Sequence, residues 1–282
     1  MIFDRALAYR VLGAAEGTYY GSRDVRYVPS KANDRSGTSF GLVQLDASQS
    51  PGRSALRAVL SDAERSGTIS ADQRANIDGR FTGSLKLQRA NAAETAQLIA
   101  LFSTAKARAI IDAHDSAHVD NRLTAVTNVM TFAAELWRDK AGKIYPRLSD
   151  PYDADYVELA SYIMATLNKR QDNAGSFRDF LTGKGVRLAS GQLVAKLDRP
   201  PLPFELHRLQ PQLKCWRGDN GSYDNLIARM NGVVPAHQTP PVDAGVLVPL
   251  TAPPVLPSLG VGTSSLGLRS APRHRHGASG DW

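Results

Sequence analysis

Glu16 closes the run Gly13-Ala14-Ala15-Glu16-Gly17, where an apolar helical stretch gives way to glycine. A helix C-terminus carries partial negative charge, and apolar neighbours solvate a carboxylate poorly. Both effects favour the protonated acid and predict a raised pKa for Glu16. A carboxyl group protonated near neutral pH is what a general acid needs to deliver a proton to a leaving glycosidic oxygen. Asp24 follows eight residues later, Asp34 eighteen and Thr38 twenty-two. Glycoside cleavage without a metal uses two groups, with a second carboxylate directing water from the far side of the bond. Glu16 is therefore a candidate acid and Asp24 and Asp34 are candidates for the second role, although Asp and Thr are also common turn residues. Tyr19, Tyr20, Tyr27 and Phe40 lie in the same stretch and offer aromatic faces on which sugar rings can stack, and core packing accounts for them equally well.

These residues need a helix end on one side and a small sheet on the other. Phe3, Leu7, Val11 and Ala14 share one helical face, and Gly17 marks the stop. Between Gly17 and Ser50, aromatic and β-branched residues alternate with Gly, Asn and Asp, which predicts short strands and tight turns. Ser50-Pro51 supplies a cap and a first-turn proline for a helix carrying Leu56, Val59, Leu60 and Ala63. Further helices are predicted from a Ser70 cap to about 77, over 91–114, 119–137, 153–169 and 176–181, and from Tyr223 to Met230. The fold class expected is mainly α with a small β element, an α+β domain over residues 1–234.

The stretch from Glu16-Gly17 to Asp34-Arg35-Ser36-Gly37-Thr38-Ser39-Phe40-Gly41-Leu42 resembles the signature of the lysozyme superfamily. Phage-type muramidases of that group carry Glu-Gly at a helix end, then an Asp followed by a Gly-X-Thr-Asn-X-Gly-Ile-like run about twenty residues on. Ser39 stands where many of them have Asn. Gly41-Leu42-Val43-Gln44-Leu45 is similar to the Gly-Leu-Met-Gln of lytic transglycosylases, and the Glu-to-Asp interval is similar to that of related chitosanases. The resemblance covers about thirty residues, Gly13 to Leu45. It implies a two-lobed lysozyme-like domain that hydrolyses the β-1,4 bonds of peptidoglycan, with Glu16 as general acid, Asp34 as first choice for the water-directing base, Asp24 as the alternative, and Thr38 as a supporting hydroxyl. It also implies glycan contacts from Tyr19, Tyr20, Phe40 and Gln44, and no cofactor or metal. A chitosanase and a lytic transglycosylase share these features. A non-catalytic wall-binding or virion structural protein would keep the fold without the chemistry.

Composition narrows the partner class. The chain has 282 residues, 34 Lys and Arg against 27 Asp and Glu, and a formal charge of +7. Such a surface suits anionic polymers, but no run of four basic residues marks a nucleic-acid groove. No apolar run approaches the ~20 residues of a membrane helix. Cys215, the one cysteine, excludes an intrachain disulfide, and thiol chemistry with His207 as base lacks an arranged site. His114 and His118 have metal-ligand spacing without the Glu of a zinc-protease helix, and their polar run suggests a joint between two helices. Gly183-Lys184-Gly185 is too short for a phosphate loop. Residues 235–282, dense in Pro, Gly and Ser, are expected to form a disordered tail. The N-terminal residues lack a basic, then apolar, leader pattern. Action in the periplasm or wall is thus expected to follow release through a lysis pore or export by a dedicated machine, as for an endolysin or an effector. The corresponding holin, secretion or immunity partner is unspecified.

Overall fold

Asp4 starts the first helix, its carboxylate accepting from the Leu7 amide at 2.9 Å. Helix α1 runs Arg5–Glu16 and ends at Gly17, whose left-handed backbone (φ 68°) lets its N–H reach the carbonyls of Gly13 and Ala14. The expected face of Phe3, Leu7, Val11 and Ala14 is buried. The structure, a computed structural model, describes residues 1–17, 38–82, 92–184, 197–213, 216 and 223–234. All of these belong to one compact unit, Met1–Leu250. The tail expected over 235–282 lies outside the described residues.

A two-stranded antiparallel hairpin follows, β1 (Ser39–Phe40) and β2 (Leu45–Asp46), with Ser39 opposite Asp46 and Phe40 opposite Leu45. Helix α2 (Gly52–Arg65) starts one residue later than the Ser50-Pro51 signal predicts, with Pro51 at the cap position. Its buried face contains Leu56, Val59, Leu60 and Ala63, as the spacing predicts. Helix α3 (Ala71–Thr82) is capped reciprocally: Ser70 Oγ accepts from the Gln73 amide and Gln73 Oε1 from the Ser70 amide. It runs beyond the expected end at 77.

The region 91–137 departs from expectation. Helix α4 spans Ala92–Phe102, and a single helix α5 spans Ala105–Ala141. At 37 residues it is about 55 Å long. The break falls at Ser103-Thr104, where Thr104 Oγ1 caps α5 by accepting from Ala107 N (3.1 Å). The expected joint at His114-Asp115-Ser116-Ala117-His118 is instead continuous helix. Each of three polar side chains there meets another element: Asp115 the hairpin, Ser116 the side chains of Arg5 and Tyr9, and His118 a residue of the next long helix. Polar residues in this helix mark contacts rather than an end.

Helices α6 (Pro146–Ser149), α7 (Ala154–Lys169), α8 (Ala174–Leu181), α9 (Pro203–Leu209) and α10 (Tyr223–Met230) complete the described chain. α7 is buried without interruption from Tyr156 to Leu167, so it is the helix around which α1, α5, α6 and α9 pack. Its buried Glu158 bonds His207 of α9 (2.8 Å), which bonds Tyr223 of α10 (2.5 Å). Tyr223 donates to Gln210, and Gln210 Nε2 donates to the Tyr162 carbonyl and to Thr166 Oγ1. This connected polar cluster fastens the C-terminal helices to α7 with its members mutually satisfied. His207, considered above as a base for Cys215, is occupied here; Cys215 itself lies outside the described residues. No described helix is long and apolar enough to cross a membrane.

Candidate functional site

Glu16 is the last residue of α1, and its side chain is half-buried. Asn168 Nδ2, from the C-terminal turn of α7, donates to Glu16 Oε1 at 2.7 Å. The other end of that amide, Oδ1, is 2.7 Å from His118 Nε2 on α5. Glu16, Asn168 and His118 thus form one line of hydrogen bonds across three helices. Arg229 of α10 donates to the Ala15 carbonyl at 3.0 Å. The partial negative charge at the end of α1, which alone disfavours ionised Glu16, therefore has a guanidinium on it. Burial pushes His118 below the usual histidine range; the Asn168 bond opposes this and Arg122 adds to it.

One helical turn before His118 on the same helix, Asp115 holds the hairpin. It is 1% exposed, and its carboxylate accepts from Leu42 N (2.8 Å) and Val43 N (3.4 Å) in the turn between β1 and β2. Burial raises its pKa to about 7, against the lowering effect of the two amides. Gly41 makes the close approach possible. Its φ is +80°, and a Cβ there would sit 2.8 Å from Asp115 Oδ1. A single turn of α5 thus joins the Glu16 hydrogen-bond line and the hairpin, since residues three apart on a helix are neighbours.

The remaining expected residues divide into three groups. Thr38 is on the hairpin's first edge, its carbonyl accepting from Ala47 N (2.9 Å). Its hydroxyl is buried and has no hydrogen-bond partner among the described residues. Gln44 sits at a left-handed turn position (φ 53°) with Nε2 donating to the Gly41 carbonyl (3.0 Å), so that amide end supports the turn. Phe40 corrects the expectation of a sugar-stacking face. It is 1% exposed and packs on Phe102 at a ring-centroid distance of 4.9 Å, because the inward side of β1 faces α4. Asp24, Asp34, Tyr19 and Tyr20 lie outside the described residues. No group of three or more His, Cys, Asp or Glu among the described residues is arranged to hold a metal.

Asp115, His118 and Asn168 escape a reading by motif. Asp115 has one available signal: with Ile111 and Val119 it continues a four-residue spacing of fully buried positions. A carboxylate in that register has to be there for a partner. Asn168 has no such signal, because its partner Glu16 is 152 residues away.

The raised pKa of Asp115 predicts a pH effect on stability. The folded state holds this proton up to about pH 7, whereas an unfolded Asp releases it near 4. The contribution is therefore full below about pH 4 and is lost as pH rises to about 7. The conversion gives on the order of 4 kcal/mol across that window. Asp115→Asn should flatten this part of the stability–pH profile, read by denaturant unfolding at pH 4 to 8. Parallel profiles for wild type and variant would contradict the assignment.

Comparison of the chain with family models, with curated proteins and with solved structures returns no match. The functional reading therefore rests on the residues and their geometry.

Proposed function

We propose that this protein is a muramidase of lysozyme-like two-lobed architecture that hydrolyses the β-1,4 glycosidic bonds of peptidoglycan. The observation that carries the reading is the coupling of Glu16 to the hairpin. A helix-end carboxyl and the strand turn downstream of it are held against one turn of α5, through Asn168–His118 and through Asp115. Glycosidases need an acid and a water-directing group kept in register on separate elements, and attachment of the Glu16 helix end and the hairpin to one turn of α5 is in keeping with that need.

In this mechanism Glu16 protonates the glycosidic oxygen as the bond from the anomeric carbon to that oxygen breaks. Water adds to the anomeric carbon and loses its proton to the second carboxylate, Asp34 or, alternatively, Asp24. Glu16 then recovers a proton from solvent, and the second carboxylate releases to solvent the one it took from water. The Thr38 hydroxyl is buried at the start of the hairpin and takes no step in this scheme. The net charge of +7 suits an acidic wall polymer. The site of action is the periplasm or wall, reached by release or export as for an endolysin or an effector.

Purified peptidoglycan and chitosan, digested side by side, test the substrate class. Release of soluble fragments from peptidoglycan alone is expected. Digestion of chitosan alone would replace the reading with a chitosanase. Binding to walls without cleavage of either would replace it with a wall-binding module.

A further inference from the structure

We propose that Asn168 is the positioning residue of Glu16, and that His118 sets the orientation of the Asn168 amide so that the Glu16 proton is carried on Oε2. This deepens the muramidase reading and rests on Glu16 as its acid.

An asparagine side chain has one donating and one accepting end, and its neighbours decide which faces where. Here both ends are engaged at 2.7 Å, one by Glu16 Oε1 and one by His118 Nε2. When His118 donates from Nε2, Asn168 Oδ1 must accept, and Nδ2 must face Glu16. Oε1 is then the hydrogen-bond acceptor of the carboxyl group, and the acid's hydroxyl is Oε2. The reverse assignment requires His118 Nε2 to accept from Nδ2. It places Oδ1 against Glu16, where it would take the Glu16 proton in a hydrogen bond and hold it away from a leaving group. The His118 N–H therefore selects the productive arrangement, two side chains away from the acid.

The charged surroundings act on the same line. Arg122, four residues beyond His118 on α5, lies close enough to disfavour a charged imidazole. Arg229 of α10 donates to the carbonyl of Ala15, the residue before Glu16. Lys169, next to Asn168, has its ammonium 4.5 Å over the Trp216 ring. Asp115 on α5 is engaged by the hairpin amides. Asn168 is neutral, so it orients the acid through one donated hydrogen bond and adds no second charge to the contact.

A plain structural clasp between helices would also use these bonds, so the test reads the acid itself. In the full chain, the Glu16 carboxyl is titrated by carbon NMR in wild type, Asn168→Asp, Asn168→Leu, His118→Gln and His118→Phe, with thermal unfolding as a check on folding. Asn168→Asp should move the Glu16 midpoint up by about one unit or more, because two carboxyls then share one short contact. Asn168→Leu should move it up by less, through loss of the donor. His118→Gln keeps an N–H donor and should retain the wild-type midpoint and lytic rate. His118→Phe should lower kcat by about tenfold or more with KM nearly unchanged, as expected when an acid is misplaced rather than substrate binding lost. Glu16 midpoints that stay at the wild-type value in both Asn168 variants overturn the proposal, and His118→Gln behaving like His118→Phe overturns the orienting role. A shifted midpoint in a wild type and variants that lack lytic activity supports the hold of Asn168 on Glu16 and overturns the muramidase reading instead.

Discussion

Glu16→Gln should slow the clearing of wall suspensions by about 10²–10⁴-fold, the range a positioned general acid contributes. The substitution is close to isosteric and removes the ionisable proton. Gln keeps an oxygen that accepts from Asn168 Nδ2, so the bond seen at 2.7 Å is retained. It keeps the length of the side chain at the end of α1 and leaves the cap at Gly17 in place. Only transfer to the leaving oxygen is lost, so kcat should fall while binding to the wall persists. Clearing rates at matched protein concentration, with thermal unfolding within a few degrees of wild type, make the comparison clean. Equal clearing by both proteins would remove Glu16 from the mechanism.

The largest effect on stability is expected at Gly52, the first residue of α2. A Cβ at this position would lie 2.2 Å from the Asp46 carbonyl oxygen and 2.5 Å from its carbon. Both are backbone atoms of β2, so no side-chain rotation relieves the overlap; the start of α2 and the end of the hairpin must separate. Overpacking of this kind costs about 3 kcal/mol or more, which corresponds to a fall of roughly 6–12 °C in Tm for a domain of this size. Because β2 pairs with β1 and Ala47 holds the Thr38 carbonyl, the same displacement reaches the proposed site. Gly52→Ala should therefore lose activity as well as stability. Gly79→Ala is the matched control. That glycine is inside α3 with nothing within 4 Å of where a methyl group would stand, and alanine there should stabilise by up to about 1 kcal/mol. A Gly52→Ala protein that melts with wild type would show that the helix and hairpin are not in the contact described.

The helices were legible where local signals and periodicity agree. Asp153 caps α7 through its bonds to the amides of Asp155 and Tyr156, and α10 begins and ends at the expected Tyr223 and Met230. Two features were hidden for physical reasons. α9 starts at Pro203, within a proline-rich stretch that reads as loop. Glu205 makes the helix possible by accepting from the Leu202 amide (2.7 Å) while paired with Arg199, contacts that local propensity does not show. The continuity of α5 through its polar middle was hidden because the partners of Asp115, Ser116 and His118 come from distant segments. Residue type and position single out Glu16 and Thr38 as candidates, while the Asn168 bond to Glu16 and the burial of the Thr38 hydroxyl emerge only from the fold. Phe40 was misassigned because an aromatic beside a candidate cleft has the same signature whether it faces sugar or core. Asn168 could be found only once the fold had brought α7 to the end of α1.

Cleavage of peptidoglycan by this chain is proposed to add water across the glycosidic bonds. Mass spectrometry of the soluble fragments from purified peptidoglycan reads that chemistry at the new chain ends. The account predicts fragments with reducing ends, from β-1,4 cleavage, that are lost with Glu16→Gln. Anhydro ends would replace hydrolysis with transglycosylation, and fragments cut only in the peptide stems, or none at all, would contradict the claim.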